Sequence, residues 1–173
     1  MKLKHFIVLI LCIVTMATGL VGCNSNEEKF VQKEFYGISF KIPAEWGEPV
    51  GESKDNIAYS LGLNGPTTSI FYIYAFPKET YKSKFYNEEE KTYKGVFELT
   101  SEENLNNNLK LKVMNVSNKD YIVRNESSPK NLILLSFVET KDHVLEVTME
   151  IPEEYYENNK KFIHSIYNSI RKK

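Results

Sequence analysis

The stretch LILLSFVETKDHVLEVTMEIPEEYYENNKKFIHSIYNSI, residues 132–170, decides the fold. Leu132 to Val138 is nearly all apolar, Lys141-Asp142 supplies turn residues, and Leu145, Val147, Met149 and Ile151 then alternate with other side chains. Two runs of strand length around a short polar turn predict an antiparallel hairpin. Pro152 suits the first position of a helix, and Glu153 and Glu154 fall in its positive first turn. Tyr155, Phe162, Ile163, Ile166 and Ile170 share one helical face, with Arg171, Lys172 and Lys173 at the negative end. A hairpin that runs straight into an amphipathic helix predicts a helix laid on a sheet.

Upstream, the patterns are mostly those of strands. Ile38, Phe40 and Ile42 alternate in a half-buried strand ended by Pro43, and Ala44-Glu45-Trp46 reads as a turn that folds Trp46 onto the core. A second alternating set is Ile57, Tyr59, Leu61 and Leu63, closed by the turn residues of 62–66. Ser69 to Phe76 is apolar on both faces, which predicts a central strand covered on both sides. Thr100-Ser101-Glu102-Glu103 matches a capping box, and Leu105 and Leu109, one turn apart, predict a short helix. Leu111 to Val116 and Tyr121 to Arg124 read as strands around the turn 117–120. The fold class is therefore α+β, a central antiparallel sheet flanked by helices, in one domain over residues 34–173.

Composition agrees with a single globular domain. Of 173 residues, 42% are hydrophobic and 26% charged, which excludes a disordered tail or a disulfide miniprotein. A formal net charge of −1 excludes nucleic-acid binding driven by a basic field.

The first residues read as an export signal. Lys2, Lys4 and His5 precede the apolar run Phe6 to Met16, small residues follow, and then Leu20-Val21-Gly22-Cys23. This tetrapeptide resembles the lipobox of bacterial lipoproteins. The resemblance implies cleavage before Cys23, a diacylglyceryl group on its thiol, and anchoring of the mature chain to the outer face of the cell membrane. Two or three acyl chains anchor stably where one does not, since each buried methylene contributes about 0.8 kcal/mol. The competing reading is an uncleaved span from Phe6 to Gly22, but it is short for a bilayer. Loss of residues 1–22 removes Cys12, Lys2 and Lys4, which leaves Cys23 as the only thiol and takes the charge to −3. Residues 23–33 then form a lipidated cysteine and polar tether.

Tyr36-Gly37-Ile38-Ser39-Phe40-Lys41-Ile42-Pro43 followed by Trp46 resembles the opening of the Mog1/PsbP-like fold. The close, Phe162, Ile166 and Ser169-Ile170 after an alternating strand, is similar to that fold's last helix. The resemblance implies an α/β/α sandwich and an accessory role, with no catalytic set to carry over.

Chemistry-bearing patterns are few. His143 falls at a hairpin tip and His164 beside the apolar stripe of the last helix, and there is no Gly-x-Ser-x-Gly elbow. Neither a His-Glu-x-x-His motif, an EF-hand loop nor a phosphate loop occurs. The runs Glu88-Glu89-Glu90 and Glu102-Glu103 could attract Ca²⁺ but read better as solvated faces. No metal or cofactor is expected. Tyr81, Tyr86 and Tyr93 alternate with Lys and Glu in a segment that suits neither strand nor helix, and mark a candidate partner surface. The expectation is a non-catalytic, membrane-anchored binding or accessory module for an envelope protein. A small-ligand carrier, or an enzyme with carboxylates converging in a pocket, stays open beside it.

Overall fold

A computed structural model describes residues 29–62, 69–83, 86–87, 92–93, 97–116 and 131–173. The signal segment, Leu20, Val21, Gly22, Cys23, Leu63 and the strand expected at Tyr121 to Arg124 lie outside the described residues.

The main sheet has seven antiparallel strands. In chain order these are β3 (Gly51–Ser53), β4 (Asn56–Ser60), β5 (Ile70–Pro77), β8 (Phe97–Asn104), β9 (Lys110–Val116), β10 (Asn131–Glu139) and β11 (His143–Pro152). Their spatial order is β3-β4-β5-β11-β10-β9-β8. A second sheet joins β1 (Phe30–Phe35), β2 (Ile38–Pro43) and the two-residue β12 (Arg171–Lys172), with β2 central. A small pair, β6 (Tyr86–Asn87) and β7 (Thr92–Tyr93), completes the strands. The hairpin read from 132–151 is β10–β11, with Leu134 opposite Met149 and Ser136 opposite Val147.

The core lies between the main sheet on one side and β2 with the helix α1 (Glu153–Asn168) on the other. Phe71, Ile73, Leu134, Leu145, Val147 and Met149 come from the sheet, and all are fully buried or nearly so. Ile38, Phe40 and Ile42 of β2 meet them, together with Ile163, Ile166 and Tyr167 of α1. Period-2 alternation in strands and 3.6-residue periodicity in the helix deliver both apolar faces to one layer. Trp46 closes the core, its ring centroid 5.8 Å from that of Phe71. On the opposite face of the sheet, Met114, Ile133 and Leu135 form a smaller buried cluster.

Three expectations change. Among the described residues there is one α-helix, not several flanking ones. The helix expected after Thr100 is the β8–β9 hairpin, and Leu105 and Leu109 face each other across its loop. Asn106-Asn107-Asn108 is the reason: Asn108 adopts φ 63°, a left-handed conformation that Asn tolerates, so the chain reverses. A capping box contributes about 1 kcal/mol and yields to a ladder of strand pairs. The fold also starts earlier than residue 34, because Phe30–Lys33, read as tether, pair with β2.

β5 is central, but its two faces differ. Phe71, Ile73 and Ala75 are buried, whereas Tyr72, Tyr74 and Phe76 are half-buried. On α1, Tyr156 and Tyr167 point to the core, while Tyr155 and Phe162 are half-buried at its margins. The helix is kinked at Asn159 (φ −123°), which rotates its first turns relative to the rest. Arg171 does reach the helix end, donating to Asn168 O at 2.5 Å and Ile170 O at 2.8 Å. Arg171 and Lys172 also continue into pairing with β2.

Ile166 is wholly buried where α1 meets the sheets. Ile166→Asp should destabilise the domain by about 3–5 kcal/mol. That is a large share of the about 5–15 kcal/mol that holds a domain together. A thermal melt unchanged from the parent would show that this face is not buried.

Candidate functional site

A bulge in β8 creates the most concentrated set of charged and polar side chains. Phe97 and Leu99 register with Val116 and Met114, on the side of the smaller cluster. The register slips between Leu99 and Ser101, after which Ser101 and Glu103 pair with Val113 and Leu111 on the core side. One extra residue, Thr100, thus re-aims Glu103 from the outer face toward α1.

There, α1 presents three side chains four residues apart, Tyr156, Lys160 and His164. Lys160 Nζ donates to Glu103 Oε1 at 2.6 Å, and Tyr156 OH donates to the same oxygen at 3.2 Å. His164 Nε2 stands 3.3 Å from Glu103 Oε2, off the hydrogen-bonding line. Burial alone would raise the Glu103 carboxyl. The hydrogen bond and charge of Lys160, with His164 and Tyr156, outweigh it and hold the carboxyl below its ordinary 4.5. Burial, with Lys160 adding, pushes the His164 imidazole below 6.5 against the opposing pull of Glu103. Burial and Glu103 raise the Tyr156 phenol to about 12.

The kink of α1 sits in the middle of this set. Asn159 Nδ2 donates to Tyr155 O at 2.9 Å, which satisfies a carbonyl beside the break. Outside the cluster runs an open groove of about 590 Å³, lined by residues 157–162 and His164. Phe162 forms its apolar wall, and Lys161 is exposed beside it. Chemically, the cluster is an ion-paired clamp. Glu103 already accepts from an ammonium and a phenol, so it holds α1 to the sheet edge and is not placed to exchange protons with a guest.

The carboxylates at 102–103, weighed above as a Ca²⁺ attractor and read as a solvated face, diverge. Glu102 takes Lys110 at 2.7 Å and Lys112 at 3.9 Å, while Glu103 turns to α1. Successive residues of a strand point to opposite faces, so the adjacent pair cannot converge. Among the described residues no three His, Cys, Asp or Glu are grouped to share a metal ion. Glu88-Glu89-Glu90 lies outside the described residues.

Of the three tyrosines marked as a partner surface, Tyr81 is half-buried against the main sheet. Its ring lies 5.6 Å from that of Phe76 and 6.5 Å from Phe137, and its hydroxyl donates to Glu146 Oε1 at 3.0 Å. Its ring therefore covers part of the sheet surface and stays half-exposed there. Tyr86 and Tyr93 are register partners in the β6–β7 pair, and their side chains lie outside the described residues. His143 is packed edge-on against Tyr36 at 4.5 Å, not simply exposed at the turn. His164 does stand at the boundary, as its position beside the stripe indicates. Sequence reading missed Lys160 and Tyr156 as its companions, although the spacing 156-160-164 puts all three on one helical face.

No family model matches the chain, and no curated protein matches it. Comparison with solved structures finds folds of similar outline. A Pseudomonas aeruginosa protein of unknown function, PA94, aligns with a TM-score of 0.48 at 12% identity, over 83% of this chain and 97% of that one. A point mutant of Mog1 aligns with a TM-score of 0.48 at 10% identity, over 83% and 95%. A Bacteroides thetaiotaomicron structure gives a TM-score of 0.44 at 11% identity, over 79% and 45%.

The clamp has a definite acid signature. Glu103 and His164 both titrate lower folded than unfolded, so the folded state binds fewer protons and loses stability as pH falls. His164 accounts for loss starting below about 6.5, and Glu103 for loss below about 4.5. His164→Asn should flatten the decline in melting temperature between pH 7.5 and 5.5 while leaving the decline below 4.5. An identical slope in parent and variant would remove His164 from the account. Separately, Tyr81→Ser should cost about 1–3 kcal/mol in a melt, as expected for a half-buried ring. No change would restore Tyr81 as a free surface ring.

Proposed function

We propose that this chain is a lipoprotein of the bacterial cell envelope. It has a Mog1/PsbP-like α+β domain held to the extracytoplasmic face of the membrane through Cys23, and it works by binding an envelope partner and not by catalysis. The observation that carries the reading is Leu20-Val21-Gly22-Cys23 behind a basic, then apolar, leader. The short chain between Cys23 and the first strand at Phe30 supports it, since it leaves room for a tether and for no further folded unit. The Glu103 clamp supports a non-catalytic role, because its one carboxylate is committed to Lys160 and Tyr156. The net charge of −3 after cleavage offers no basic field to draw in nucleic acid.

Cys23→Ala tests the anchor. Metabolic labelling with a fatty acid should mark the parent and not the variant, and the variant should leave the membrane fraction. Persistent labelling of the variant would refute the lipid assignment. In-cell crosslinking of the parent then identifies the partner, and a parent that yields no adduct beside lipid would leave the binding role unsupported.

A further inference from the structure

If Cys23 carries the lipid, the domain is fastened by very little chain. Six residues, 24–29, separate Cys23 from Phe30, which makes seven Cα–Cα steps. Fully extended they span at most about 25 Å, and a flexible stretch of that length averages about 13–16 Å. A domain of about 145 residues has a radius of gyration of about 14–15 Å, hence a diameter of roughly 37 Å. The attachment is shorter than the domain is wide, so the pole where the chain enters is held toward the bilayer.

That pole is apolar. Phe30 and Val31, on opposite faces of β1, are each 37% exposed; among the described residues Val50 and Leu99, elsewhere in the fold, are exposed too. The Phe30 ring lies 6.1 Å from that of Phe162, the apolar wall of the groove along α1. Exposed Lys29 and Lys161 adjoin the two rings in the chain. The other end of β1 differs in kind. β1 runs about 20 Å from Phe30 to its hairpin turn at Tyr36-Gly37. There Tyr36 OH donates to Asp55 Oδ1 at 3.1 Å, and the Tyr36 ring meets His143 at 4.5 Å. Lys78 N donates to Asp142 O at 3.0 Å, which brings the end of β5 to the same place. Tyr36 holds φ 44°, an unusual conformation for a bulky residue, kept by these neighbours.

We infer that the surface formed by Phe30 and Phe162 seats in the headgroup region of the bilayer, and that the Tyr36, Asp55 and His143 end of β1 faces away from it. The inference rests on the lipid-anchor reading. Aromatic rings sit well at the membrane interface, and lysines beside them match anionic headgroups. The outward pole then offers polar and charged turns to whatever the protein meets in the envelope.

The test uses the full lipidated chain, purified from membranes and reconstituted in vesicles of phosphatidylethanolamine and phosphatidylglycerol carrying a headgroup nitroxide. A fluorophore is placed through Val31→Cys in one sample and Asp142→Cys in another, Cys23 being blocked by its lipid. Quenching at position 31 should be several-fold stronger than at 142, and Phe30→Ser with Phe162→Ser should narrow the gap while the protein still floats with vesicles. Flotation with equal quenching at both positions overturns the orientation alone. A gap that the double change leaves intact overturns the seating of the rings. Failure of the full chain to float overturns the anchor reading, and the orientation with it.

Discussion

Tyr167 is fully buried, and its hydroxyl donates to Leu134 O at 2.9 Å, so one side chain ties α1 to the middle of the main sheet. A phenol without a partner at that depth would cost about 1–3 kcal/mol, so the bond selects the seating of the helix as well as stabilising it. Its ring also meets Phe71 edge-on at 6.3 Å. With α1 seated there, its last carbonyls meet the β8–β9 loop, where Asn107 Nδ2 donates to Tyr167 O at 2.8 Å and Ile170 O at 3.1 Å. The helix then ends at β12 beside β2, and Lys173 N donates to Gly37 O at 3.0 Å. The second sheet, and with it the entry of the chain at Phe30, follows from how α1 packs.

The two halves of α1 do different work. Beyond the kink, Ile163, Ile166 and Tyr167 fill the core. Around the kink, Lys160 and His164 join Tyr156 on Glu103, and the outward residues line the groove. A straight helix would follow one stripe, whereas the break at Asn159 lets the stripe change angle without leaving a carbonyl unpartnered. Partly buried ion pairs such as Glu103 with Lys160 contribute modest stability and strong positional preference. The clamp therefore reads as a device for fixing the seat of α1 on the edge of the sheet.

Much of the fold was legible because burial on one face writes a period into the chain. The β10–β11 hairpin, β2, β5 and the existence of α1 all follow from that period, as does the inward turn of Trp46. The segment 97–109 misled for a specific reason. A capping-box match is a local signal, and its residues were claimed by pairing with β9, partners that no window along the chain contains. The three consecutive Asn residues were the local cue that the chain reverses there. The packing of Tyr81 was hidden in a similar way, since its contact with Phe137 exists only once the sheet is in place.

What the sequence by itself determined is whatever depends on near neighbours: the strand and helix periods, and the α+β class. Only the tertiary structure decided which residues meet. A bulge at Thr100 chose the face of Glu103 and so brought it to Lys160, Tyr156 and His164, and the β1–β2 hairpin set Phe30 and Tyr36 at opposite ends of β1. Each depends on a contact between segments far apart in the chain, and the energy of such a contact exists only once both surfaces have been brought together.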